Sequence, residues 1–164
     1  MKYNQTEFTC TTKCEMNPMK LSLIVPCYNE ADTVVAFHNK LLDAFQDAEY
    51  NYEVIYVDDG SQDATLHKLK AITSERIYPI TVIQFSRNFG KESALYAGLQ
   101  YARGELICFI DADLQQPPDM VRKMVSVLDA NPLQDVVAAY QEQRKEGKIL
   151  SFCKEAFYSL INRL

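Results

Sequence analysis

The stretch LICFIDADLQQPP, residues 106–118, runs an apolar segment directly into two carboxylates separated by one residue. Asp111 and Asp113 are followed, again one residue further on, by the carboxamide of Gln115, and the chain then turns at two prolines. Carboxylates this close repel each other unless a positive group lies between them. Alternate residues of an extended segment point the same way, and hard oxygen ligands suit Mg²⁺ or Mn²⁺ better than zinc. The pattern predicts a strand that ends in a divalent metal site.

Three earlier apolar runs also end in polar residues. They predict strands at 21–27, 54–57 and 80–85, and a further strand is expected at 136–140. Apolar residues at helical spacing predict a helix after each strand. The first covers 30–48, the second begins after Ser61 or Asp63 as its cap, the third covers 91–102, and the fourth covers 118–130 with Pro118 in its first turn. Strands alternating with helices indicate an α/β fold with a mostly parallel central sheet flanked by helices.

Ligands of open α/β sheets bind beyond the carboxyl ends of the strands. Four such ends here would bring together five carboxylates, two cations and an aromatic ring; they are the segments 26–30, 58–61, 87–91 and 111–113. Each segment alone also fits a plain structural role, such as a solvated turn at 111–113, helix capping at 58–61, or solvated charges at Arg87 and Lys91. Their recurrence at four successive strand ends favours a binding site.

Size and composition limit the function classes. The chain has 164 residues, about one domain, and a net charge of −5, which speaks against a broad nucleic-acid surface. Its five cysteines are odd in number and irregularly spaced; Cys27 and Cys108 are expected to be buried, and Cys10 and Cys14 lack a second pair for zinc. The sequence has neither an apolar run long enough to span a membrane nor a signal peptide, and the cysteine pattern suits the cytosol.

We expect three parts in the chain. Residues 1–18 are predicted to be a disordered extension, and residues 19–141 the folded domain. Residues 142–164 are predicted to form a basic amphipathic helix, which would either approach a membrane or pack on the sheet. The chain is expected to be truncated at this helix.

Four segments, in order and spacing, resemble family 2 inverting glycosyltransferases of GT-A fold: LSLIVPCYNE, VIYVDDGSQDAT, FSRNFGKESALYAGLQYARGE and FIDADLQQPPDMV. The resemblance covers about residues 19–164 and is strongest to the polyprenyl-phosphate glycosyltransferases, typified by dolichyl-phosphate mannose synthase and bactoprenol glucosyltransferases. It implies a Rossmann-like sandwich of GT-A type.

The resemblance also implies roles for individual residues. The donor nucleotide would be bound by Pro26, Tyr28, Glu30, Val57, Asp59, Lys91, Asp111 and Ala112. Asp111, Asp113 and Gln115 would hold Mg²⁺ or Mn²⁺. Asp111 and Asp113 would serve catalysis together with Arg144, which would face the acceptor phosphate. The family usually has a further arginine where this chain has Gln141, so acceptor binding departs from the family pattern there.

The implied function is metal-dependent transfer of a sugar from a nucleotide-sugar to a polyprenyl phosphate, with inversion, at the cytoplasmic face of a membrane. A UDP-sugar is favoured over a GDP-sugar, and the sequence leaves open whether the chain forms a homo-oligomer. The alternative is a non-catalytic nucleotide-sugar-binding domain or a regulator of a membrane partner. A haloacid-dehalogenase-type phosphatase would require Thr or Val at Gln115, and a dinucleotide oxidoreductase would require GxGxxG after the first strand.

Overall fold

The computed structural model describes residues 18–74 and 78–139. Strands and helices alternate along this part of the chain, as the apolar patterns predict. In order they are β1 (Leu21–Cys27), α1 (Val34–Phe45), β2 (Tyr52–Asp58), α2 (Thr65–Ile72), β3 (Ile80–Gln84), α3 (Lys91–Tyr101), β4 (Leu106–Phe109) and α4 (Asp119–Ala130).

The strands form a parallel sheet in the order β3-β2-β1-β4. β1 lies in the interior, with Ile24 opposite Ile55 on one side and opposite Phe109 on the other. Because the strands are parallel, their carboxyl ends lie along one edge, which we call the carboxyl edge. The predicted α/β class with a mostly parallel sheet is confirmed.

Helices cover both faces of the sheet. On one face, Phe37 and Leu41 of α1 and Val121 of α4 belong to a large buried cluster with strand residues such as Leu23 and Tyr56. On the other face, α3 packs through its alanines against Ile24, Ile55 and Val57. Close packing of α3 depends on Gly98, where a Cβ would come within 2.4 Å of the Ile24 side chain. The arrangement is a three-layer sandwich.

A polar network ties the opposite, amino-terminal edge of the sheet together. The buried carboxylate of Glu53 accepts hydrogen bonds from the Ser22 hydroxyl (2.7 Å), the Arg103 backbone N–H (2.8 Å) and the Arg103 guanidinium (2.6 and 2.9 Å). Ser22 Oγ in turn accepts the Gly104 N–H at 2.8 Å. The network fixes the connection between α3 and β4 to the first two strands.

The structure corrects several boundaries. The fifth strand predicted at 136–140 is wrong for residues 136–139, which form no strand and expose 80% of Val136. α1 begins at Val34, four residues later than predicted. The residue that precedes α2 is Ala64, so neither Ser61 nor Asp63 is the cap, although the Asp63 carboxylate accepts the Thr65 N–H at 2.9 Å.

The predicted extension, residues 1–18, lies outside the described residues apart from Pro18, and so do Arg144 and the predicted helix 142–164. Among the described helices, none combines the length and the apolar composition needed to cross a bilayer.

Candidate functional site

Reciprocal hydrogen bonds join the loops that follow β1 and β2. The Asn29 N–H donates to Ser61 Oγ, and the Gln62 N–H donates to Asn29 Oδ1, both at 2.9 Å. Asn29 has a φ of 55°, in the left-handed region that asparagine tolerates better than most residues. Tyr28, beside it, exposes 43% of its surface. This pairing places an accessible aromatic ring at the rim of the carboxyl edge.

Glu30 is held where the chain enters α1. Its N–H donates to Thr65 Oγ1 at 2.8 Å, and its carboxylate accepts a hydrogen bond from the Thr33 hydroxyl. The next residue, Ala31, donates its N–H to the Asp63 carboxylate at 3.1 Å. The Glu30 carboxylate is therefore engaged with its own helix start, and it remains partly exposed.

Asp59 clamps the loop that follows β3. Its side chain is 3% exposed; Oδ1 accepts the Phe89 N–H at 2.7 Å and Oδ2 accepts the Gly90 N–H at 2.9 Å. Gly60 makes the close approach between the two loops possible, because it has a φ of 69° and a Cβ there would lie 2.3 Å from the backbone carbon of Arg87. The clamp fixes the backbone immediately before α3.

α3 then begins with Lys91, whose ammonium contacts both carboxylate oxygens of Asp111, at 2.6 and 2.8 Å. The two side chains are 55% and 33% exposed, so water screens the ion pair and its worth is at most about 1 kcal/mol. A cation at the first residue of a helix faces the positive end of the helix dipole. The position of Lys91 is thus explained by Asp111 and not by the helix.

The segment after Asp111 turns sharply. Ala112 is buried, Leu114 has a φ of 63°, and the Gln115 N–H donates to Asp113 Oδ1 at 3.0 Å. No group of three or more His, Cys, Asp or Glu side chains within the described ranges is arranged to hold a metal. Two carboxylates and a carboxamide are nevertheless a hard-oxygen donor set, and Mg²⁺ commonly completes its shell with water and phosphate. The residues present fit a divalent cation chemically.

Two buried groups lie under the site. Asp58 is 1% exposed; its Oδ1 accepts the Ser61 N–H at 3.3 Å, and its Oδ2 has no hydrogen-bond partner among the described residues. Burial raises the pKa of the Asp58 carboxyl above its ordinary value. Burial, reinforced by the charges of nearby carboxylates, also raises the pKa of the Cys27 thiol, so Cys27 is not a thiolate nucleophile. Cys27 and Cys108 are buried, as predicted.

The structure brings most of the predicted residues to one edge, but to different depths. Seven of them are exposed or half-buried: Pro26, Tyr28, Glu30, Lys91, Asp111, Asp113 and Gln115. Val57 is completely buried and Ala112 nearly so, which leaves their side chains little surface to offer a ligand. Sequence reasoning gave no role to Asn29, although an asparagine in the loop after a strand favours a left-handed turn.

The chain resembles known proteins over most of its length. Residues 22–162 match the family model described as glycosyl transferase family 2. The chain is 35% identical over 148 residues to a prophage bactoprenol glucosyl transferase homolog of Escherichia coli, covering 89% of this chain and 47% of that protein. It is also 35% identical over 146 residues to a dodecaprenyl-phosphate galacturonate synthase of Rhizobium johnstonii, covering 87% and 43%. The chain thus spans about half the length of these curated relatives.

Solved structures share the fold. S. aureus TarS 1-349 in complex with UDP superimposes with a TM-score of 0.60 at 27% identity, over 78% of this chain and 40% of that TarS fragment. The mannosyltransferase PcManGT from Pyrobaculum calidifontis, in complex with GDP-Man and Mn²⁺, gives 0.56 at 27% identity, over 70% and 35%. These neighbours are GT-A glycosyltransferases. The family match spans most of the chain and includes all four strand-end segments, so the chain belongs to glycosyl transferase family 2.

Proposed function

We propose that this chain binds a nucleotide-sugar at the carboxyl edge and belongs to an enzyme that transfers the sugar to a polyprenyl phosphate. The observation that carries the proposal is the linkage of three strand ends: Asp59 clamps the loop before Lys91, and Lys91 reaches Asp111. A positive side chain thereby lies beside the acidic pair at the place where the fold binds ligands. Relatives named for bactoprenol and dodecaprenyl phosphate support the acceptor class.

The donor would lie across the loops of β1, β2 and β4. The exposed ring of Tyr28 offers a face for stacking a base, next to Pro26 and Glu30. Asp59, above the buried Val57, would meet the nucleoside through the loop it holds, and Asp111 and Ala112 would lie toward the phosphates. A UDP-sugar is preferred in this proposal; TarS in complex with UDP supports that choice, whereas the PcManGT complex contains GDP-Man.

Asp111, Asp113 and Gln115 would hold Mg²⁺ or Mn²⁺. Bound there, the ion would supply stabilisation of the negative charge that develops on the leaving diphosphate. The hydrogen bond from the Gln115 N–H orients the Asp113 carboxylate at the turn. The Mn²⁺ in the PcManGT complex supports a divalent ion in this fold.

The remaining chemistry makes small demands on the protein. A polyprenyl phosphate oxygen is already ionised, so its attack on the anomeric carbon needs no general base. A single displacement inverts that carbon. The protein must instead position the reactants and stabilise leaving-group charge, to which the ammonium of Lys91 can contribute. Arg144, outside the described residues, would face the acceptor phosphate, and the acceptor would be met at the cytoplasmic face of the membrane.

Calorimetry with UDP, GDP and their sugars tests the donor site, each titrated with Mg²⁺, with Mn²⁺ and with EDTA. We expect metal-dependent binding of one nucleotide class, lost in Asp113→Ala and retained in the control Asp47→Ala, an exposed carboxylate in the turn after α1. Absence of nucleotide binding under every metal condition would contradict the proposal.

A transfer assay with a short polyprenyl phosphate then tests the reaction. Sugar transfer that depends on the lipid supports the enzyme. Nucleotide-sugar binding with neither transfer nor hydrolysis would indicate that this chain acts as a binding domain.

A further inference from the structure

The ion pair between Lys91 and Asp111 has a consequence for how ligands enter the site. The Lys91 ammonium occupies both oxygens of the Asp111 carboxylate, at 2.6 and 2.8 Å. The second acid, Asp113, has Oδ1 turned to the Gln115 N–H. Of the acidic pair that would hold a divalent ion, one member is therefore already neutralised by a cation of the protein itself.

The Lys91 ammonium is positioned beside Asp111 by contacts that hold the start of α3. Asp59 fixes Phe89 and Gly90 through their N–H groups, and α3 begins one residue later. A helix N-terminus disfavours a cation and favours an anion. Lys91 is thus a tethered positive group with two suitable partners, the Asp111 carboxylate and an anionic ligand at the same edge.

An ammonium that contacts both oxygens of Asp111 competes with a divalent ion for that carboxylate, because the two cations repel each other and share the same acceptor sites. A diphosphate, in contrast, offers the ammonium oxygens of its own, which lysine binds as a point charge. A nucleoside diphosphate that attracts Lys91 would release Asp111 for the metal, and a metal on Asp111 would release Lys91 for the phosphates. Binding free energies that depend on each other in this way are coupled reciprocally.

We propose that Lys91 is a built-in competitor of the divalent ion for Asp111, so that metal and donor nucleotide enter the site with positive coupling and each binds weakly alone. The inference rests on the proposed function, and it adds that Lys91, a residue assigned to donor binding, also controls how tightly the metal binds.

The test measures Mn²⁺ binding from the paramagnetic resonance signal of free Mn²⁺, without nucleotide and with saturating UDP or GDP. The variants are Lys91→Met and the matched control Arg87→Met, which removes one positive charge from the loop just before α3. The Arg87 guanidinium lies over the Phe89 ring, 4.9 Å from its centroid, so its described contact is not with Asp111.

We expect Lys91→Met to bind Mn²⁺ alone about two- to fivefold more tightly than Arg87→Met, as the loss of an exposed ion pair allows. In Lys91→Met the enhancement of Mn²⁺ binding by nucleotide should be about two- to fivefold smaller than in Arg87→Met, because the competition is lost while direct contact between the ion and the phosphates remains. Urea unfolding midpoints close to that of the unchanged protein would show that both variants fold.

Two negative results have different meanings. Equal Mn²⁺ affinity in Lys91→Met and Arg87→Met, with nucleotide enhancement intact in both, overturns the competition while leaving the donor site standing. Failure of the unchanged protein to bind Mn²⁺ and nucleotide together overturns the proposed function and the coupling with it.

Discussion

Replacement of Asp59 by asparagine should destabilise the fold as well as impair the site. The carboxylate accepts two backbone N–H groups, at 2.7 and 2.9 Å, and is 3% exposed. Asparagine keeps one acceptor oxygen, but its NH₂ group would face the second N–H, donor against donor. A hydrogen bond to a charged group contributes about 1.5–3 kcal/mol, so we expect Asp59→Asn to lower the free energy of unfolding by about 2–3 kcal/mol.

Urea unfolding measures this loss. With a denaturant slope of about 1–3 kcal/mol per molar for a small protein, the midpoint should fall by about 0.7–3 M. Asp113→Asn is the matched control, because it makes the same chemical change at a half-buried carboxylate that accepts one N–H group. We expect that control to shift by less than about 1 kcal/mol.

The comparison separates two roles for Asp59. If Asp59→Asn and Asp113→Asn unfold at the same urea concentration while nucleotide binding is lost in the former, Asp59 acts as a ligand contact alone and the clamp argument is refuted. A large loss of stability in Asp59→Asn, together with weaker nucleotide binding, supports a clamp that organises the site.

Three further changes give distinct outcomes. Gly60→Ala should cost more than about 2 kcal/mol in urea unfolding, because φ is positive and the new Cβ would meet the Arg87 backbone at 2.3 Å. The free energy of unfolding of Asp58→Asn should rise relative to that of the unchanged protein as pH increases. The raised pKa of Asp58 means that it binds its proton more tightly in the folded state, so its contribution to stability falls from about pH 4 upward through that pKa. A constant difference in the free energy of unfolding across the pH series would contradict this. Glu53→Gln should cost about 2–3 kcal/mol, because the charged acceptor is lost and the new NH₂ group faces donors such as the Ser22 hydroxyl and the Arg103 N–H. Retention of the unfolding midpoint would argue against the network.

The fold was predictable from local patterns. Apolar runs such as 21–27 and 106–109 carry enough information to mark buried strands, and the polar residues that follow them mark the carboxyl edge. Residues 136–139 show the limit of this reasoning. Their composition is strand-like, but a strand also needs a neighbour to pair with, and Val136 has none among the described residues and is 80% exposed.

The grouping of the site residues at one edge of the sheet was predictable from the sequence, but the contacts among them were less so. The acidic and basic residues at strand ends could be grouped because parallel strands end together. Asp59 accepts N–H groups from residues 30 and 31 positions away, and this contact depends on loop conformations, on Gly60 and on the position of α3. Such long-range contacts leave no periodic signal in the sequence.

The network of Ser22, Glu53 and Arg103 lies at the far end of the strands that carry the site. Along β1, the five steps from Ser22 to Cys27 span roughly 16 Å. Effects of substitutions separated by more than about 7–10 Å, with no shared partners, usually add. Stability improved at the amino-terminal edge would therefore be a reserve for protein engineering, one that lets the loops of the opposite edge be varied without unfolding the scaffold.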